Sequence, residues 1–93
     1  MKDEITKEKL GKYFALTSKA LDEIKKNIVK KKSKEAKEII EMASNYFSDA
    51  GHFEGKGDFV NAFAALNYAH GWIDSGVRLG IFDVHDDKLF TVK

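Results

Sequence analysis

The sequence predicts an all-α protein: a three-helix up-and-down antiparallel bundle with a short extended C-terminal tail. Three observations lead there. Apolar residues recur at steps of three and four over three long segments, near residues 3–31, 33–50 and 58–80. The connectors between them are short and rich in lysine or glycine, so neighbouring helices fold back on each other. After Gly80 the helical period is lost and two short β-like pieces follow. Ninety-three residues, 43% of them apolar, make one domain, 1–93, with a modest core.

In the first segment Leu10, Tyr13, Phe14, Thr17, Ala20, Leu21, Ile24 and Ile28 draw one face of a long amphipathic helix. Most of its lysines fall outside that face. A basic cluster follows, with Lys25, Lys26, Lys30, Lys31, Lys32, Lys34 and Lys37 around the expected turn of 25–37. Such a patch could neutralise phosphates. Without interleaved aromatics or arginines, however, it reads better as lysines that complement a helix C-terminus and solubilise a hairpin.

Ser33 is the expected N-cap of the second helix, with Glu35 and Glu38 near its positive end. Ala36, Ile39, Ile40, Ala43, Tyr46, Phe47 and Ala50 supply its face, and Gly51 is placed to close it. The connector GHFEGKG then leads into the third helix, with Phe53 tucked against the bundle end. Its Gly55-Lys56-Gly57 lacks the spacing and the Lys-Ser/Thr pair of a phosphate loop.

The third segment, DFVNAFAALNYAHGWIDSGVRLG, organises the rest. Asp58 can accept from the free amides of the first turn, and Gly80 can supply a left-handed terminator. Phe59, Ala62, Phe63, Leu66, Ile73, Val77 and Gly80 form its core stripe. Ala62, Ala65, Ala69, Gly76 and Gly80 make a small flank that lets a neighbouring backbone approach, and interior Gly71 and Gly76 point to tight packing or a bend. In the tail, Ile81–Val84 and Leu89–Val92 surround a turn-prone His85-Asp86-Asp87. A two-stranded ribbon is marginal alone, so the tail is expected to lie against the bundle or a second copy and cover exposed apolar groups, with fraying as the alternative.

Two features of the third helix carry the functional expectation. Asn67, His70, Asp74 and Arg78 share a polar edge that can hold a small ligand or nucleotide, or a structural salt bridge between Asp74 and Arg78. Tyr68, Trp72 and Leu79 lie off the core stripe, as anchors of an interface or as groups covered by the tail. A metal site needs three or four ligands and this helix offers at most two, so no metal and no cofactor is expected. Ser75 lies away from His70 and no nucleophile elbow exists, so no catalytic residue is assigned.

Cysteine is absent, which removes disulfides, thiolate metal sites and cysteine nucleophiles. Sixteen basic residues against fifteen acidic ones create no field for nucleic acid or membrane. No apolar run reaches membrane-span length, and the opening MKDEITKEKLGKY is charged throughout, so a cytoplasmic location is expected.

The string Ala65-Leu66-Asn67-Tyr68-Ala69-His70-Gly71-Trp72-Ile73-Asp74-Ser75-Gly76-Val77-Arg78-Leu79-Gly80, with Phe82 after it and Tyr46–Ala50 before it, resembles an archaeal family known as domain of unknown function family 357. The resemblance implies a closed three-helix bundle and no activity. The leading expectation is a non-catalytic interaction or accessory domain, with a homodimer or another protein as partner. The alternatives are a ligand- or nucleotide-handling domain using the Asn67/His70/Asp74/Arg78 edge, and weak nucleic-acid binding through the lysine turn.

Overall fold

A computed structural model of the chain describes residues 5–90. They fold as three helices, α1 (Lys7–Lys26), α2 (Ser33–Gly55) and α3 (Phe59–Arg78), with one turn of 3-10 helix, Lys30–Lys32, before α2. The expected beginning of the first helix, at residues 3 and 4, lies outside the described residues. Thr6 caps α1, its hydroxyl oxygen accepting from the Lys9 amide at 3.1 Å.

α1 stops at Lys26, short of the expected residue 31. Asn27 ends it: its side chain donates to the Glu23 carbonyl at 2.7 Å and its amide to Ile24 at 3.2 Å, so two terminal carbonyls are satisfied. The next residues then pair with the tail. Val29 N–H donates to Ile81 O at 3.0 Å, Asp83 N–H donates to Asn27 O at 2.8 Å, and Ile28 bridges Phe82 antiparallel. A long-range pairing thus takes the last turn from the helix, which periodicity along the chain cannot reveal. Ser33 begins α2 rather than capping it; Lys32 holds the cap position without a side-chain bond.

α2 runs past Ala50 to Gly55, so Gly51 does not close it and Phe53 belongs to the helix. The terminator is Gly57, at φ 77°. Gly57 N–H donates to Glu54 O at 3.0 Å and Asp58 N–H to Phe53 O at 2.9 Å, the pair of bonds that a left-handed residue permits. Asp58 at once caps the next helix, accepting from the Asn61 amide at 3.2 Å and from its side chain at 2.7 Å. α3 ends by the same device: Gly80, at φ 75°, donates to Val77 O at 3.1 Å, and Ile81 to Gly76 O at 2.9 Å. Gly80 therefore follows the helix and is exposed, so it is no part of the core stripe or of the small flank.

The two cores give the helix directions, one holding Leu10, Ala50 and Ala62 and the other Ile24, Ala36 and Ile73, and ring contacts join the helices between them. Phe14 meets Phe47 edge-on at 5.8 Å, Tyr13 meets Phe63 at 4.8 Å, and Tyr46 stacks on Tyr68 at 5.3 Å. α1 therefore runs antiparallel to α2 and parallel to α3, while α2 and α3 run antiparallel, an up-and-down bundle. The most extensive contact joins α2 to α3. It is built from small residues: Ala36, Ala43 and Ala50 are wholly buried on one helix, as are Ala62 and Ala69 on the other, with Gly76 buried beside them. At one end Leu10, Ala50, Ala62 and Leu66 form a core; at the other Ile24, Ala36, Ile39 and Ile73 form a second with the tail.

The tail is not a ribbon. Ile81, Phe82, Val84, Leu89 and Phe90 are all buried against the helices. Phe82 fills the notch at Gly76, where a Cβ would stand 2.5 Å from its ring and 3.0 Å from Ile39. Leu89 and Phe90 belong to a turn closed on Asp86, whose carbonyl accepts from both amides at 3.1 and 3.0 Å and whose carboxylate accepts from Lys88 N–H at 2.9 Å. The remainder of the expected second strand, residues 91 and 92, lies outside the described residues.

Candidate functional site

α3 places the two sets of side chains on adjoining sides of the helix, with Asn67 bordering both. On the polar edge His70 and Asp74 are half-buried and Asn67 is exposed. These three border an open cleft of about 230 Å³ whose other walls are Tyr13 and Leu16 of α1 and residues 87–90 of the tail. The tail's Asp87 and Lys88 add charges that spacing along α3 could not supply. Arg78 parts from this group: one further turn round the helix, it borders a second cleft with Val29, Phe82 and His85. The expected four-residue edge is thus a cleft of three, with the arginine beyond it.

His70 is the unusual member of the cleft. Its Nε2 is buried and has no hydrogen-bond partner. Burial holds its pKa below the ordinary imidazole value, and the nearby Asp74 carboxylate offsets part of that effect by favouring the cation. The ring is therefore neutral at pH 7 and unsatisfied at one nitrogen. Among the described residues no group of three or more His, Asp or Glu side chains could hold a metal ion. Ser75 donates to the Gly71 carbonyl of its own helix at 2.8 Å, the ordinary habit of a helical serine. An Asp83–His85 pair at 2.9 Å, absent from the sequence reading, is exposed at both ends.

The apolar side is different in kind. Tyr68 is 62% and Leu79 71% exposed, while Trp72 is half-buried and packs against the core. Tyr68, Trp72, Gly71 and Ser75 border a shallow, mainly apolar groove of about 330 Å³. The described residues of the tail pack over the α1 side of α3 and leave this side open, so they do not cover Tyr68 and Leu79 as the alternative expected. Gly71 has nothing within 4 Å of where a Cβ would stand. It meets no neighbouring backbone, and the expectation of tight packing there fails. Tyr46, read from the sequence as a core residue, is half-buried and extends the aromatic surface through its stack on Tyr68.

The lysines of the turn are all exposed, and Lys25 and Lys26 occupy the last turn of α1, where they complement its dipole. No helix among the described residues is long and apolar enough to cross a membrane. Comparison with curated proteins and with solved structures gave no match. A family model matches residues 12–82, a span that holds the α2–α3 contact, the helical walls of the His70 cleft, the Tyr68 face and the root of the tail, but not residues 87–90 that close the cleft. The chain therefore belongs to the family described as "Protein of unknown function (DUF357)".

Proposed function

We propose that this chain is a non-catalytic interaction or accessory domain that docks a protein, a second copy of itself included, through the Tyr68/Trp72/Leu79 face of α3. The observation that carries this reading is the exposure of Tyr68 and Leu79 beside a half-buried tryptophan in a groove that the described residues of the tail leave open. Tyrosine and tryptophan anchor interfaces because they bury much area for few rotatable bonds. Tyr68 is held against Tyr46, so less of its freedom is lost on docking. Asn67 and Arg78 flank the face as its polar rim. A cytoplasmic location is part of the proposal.

The test is a Tyr68→Lys/Leu79→Lys double variant. Both side chains point into solvent, so the melting temperature should stay within a few degrees of wild type while partner binding or self-association is lost. Trp72 serves less well, because a charge on a half-buried ring that packs on the core would unfold the protein.

A second reading rests on the cleft beside His70 and Asp74, whose size suits a small ligand. It predicts a rise in melting temperature with a nucleotide that Lys88→Ala reduces, since Lys88 can pair with its phosphate whereas Asp74 and Asp87 repel it.

A further inference from the structure

We propose that residues 84–90 form a strap over the α1/α3 groove, and that the strap loosens when His70 takes up a proton. The tail is held in two different ways. Its root is bonded to residues 27–29 through the backbone and wedged by Phe82 into the Gly76 notch. Its distal part has no backbone hydrogen bond to the helices among the described residues, and its turn bonds close on Asp86 within the segment itself. What seats it is the burial of Val84, Leu89 and Phe90. A segment whose own turn bonds close within it can lift while its root stays in place.

The cleft between this strap and the helices is where His70 lies. A neutral imidazole with one buried, unpartnered nitrogen carries a modest cost. An imidazolium has an N–H on both nitrogens and a charge, so the closed seat would hide a charged donor with no acceptor. The groups that border the cleft with it are Tyr13 from α1, Asp74 from its own helix, and Asp87 and Lys88 from the strap; α2 contributes none. Asp74 favours the cation, yet burial outweighs it, and the pKa of the closed form is lowered. Opening admits water to the ring, so each proton taken up favours the open strap. His85 rides on the strap itself and pairs with Asp83 in solvent, so its protonation leaves the seat unchanged.

The experiment is NMR on the full chain between pH 5 and 8, reading imidazole titrations and amide protection factors for wild type, His70→Asn, His85→Asn and Phe90→Ala. In wild type the protection of the Leu89 and Phe90 amides falls below pH about 6.5. The loss approaches about tenfold for every pH unit that separates the His70 pKa of the closed and open forms. His85→Asn behaves as wild type, and His70→Asn shows no pH-dependent loss. In Phe90→Ala, where the strap is already loosened, His70 titrates closer to its ordinary value. Protection that ignores pH in wild type, an equal fall in His70→Asn, or an unchanged His70 titration in Phe90→Ala would each overturn the proposal. If Phe90→Ala does not fold, the comparison of wild type with His70→Asn decides alone.

Discussion

Single residues set the ends and contacts of the helices, and several could be read directly. Asp58 and Gly80 work through chemistry confined to a few neighbouring residues, a carboxylate on a free amide and a left-handed backbone, so sequence alone placed both. Gly76 and Gly71 looked alike in the sequence and differ in the fold, since only Gly76 meets Phe82 and Ile39. Gly76→Ala should therefore destabilise by about 1–3 kcal/mol through overpacking, less any gain in helix propensity, whereas Gly71→Ala should stabilise by up to about 1 kcal/mol. Paired thermal melts check the opposite signs. Asp58→Ala should cost about 0.5–2 kcal/mol in the same assay. His70 adds a pH dependence whose sign follows from burial. Its folded pKa lies below the unfolded value, so its contribution is complete above pH about 6.5 and is lost as pH falls from there towards the folded pKa. Urea melts at pH 7.5 and 5.5 should show a smaller stability difference in His70→Asn than in wild type.

At the scale of elements, three helices and their up-and-down order were legible because each carries its own period. Their ends were legible only where the stop signal is local. α1 ends early because residues 27–29 pair with residues 81–83, more than fifty positions away in the chain. α2 runs late because a glycine such as Gly51 can continue a helix, and Gly57, the one of the connector's glycines with positive φ, takes its place as terminator. The tail's burial was expected. Its wedge into Gly76 was not, since nothing in either segment names the other. Phe82→Ala should accordingly cost about 3–5 kcal/mol, the range for a buried phenylalanine, and should also release the Val29–Ile81 pairing. Denaturant titration gives the first, and amide exchange at Val29 gives the second.

Across the whole molecule, the bundle encloses α3 on most of its circumference: α2 on the side of the small residues, α1 and the tail on the side of Leu66 and His70. One side stays open, and Tyr68, Trp72 and Leu79 lie there. The sequence could mark these three as surplus to the core stripe. It could not say whether the tail would cover them, because the tail's path depends on the Gly76 notch and the pairing with residues 27–29. The polar edge was legible as a spacing, but its division into a His70/Asp74 cleft and a separate Arg78 depends on where the tail lies. The most direct test of the interaction reading uses the wild type and the Tyr68→Lys/Leu79→Lys variant as equal baits in native extract, with retained proteins, including copies of this chain, quantified by mass spectrometry. The account predicts at least one protein held by wild type and depleted about tenfold or more with the variant, the loss expected from removing about 1.4 kcal/mol of binding energy or more. Identical sets of proteins on two baits that melt at the same temperature would contradict it.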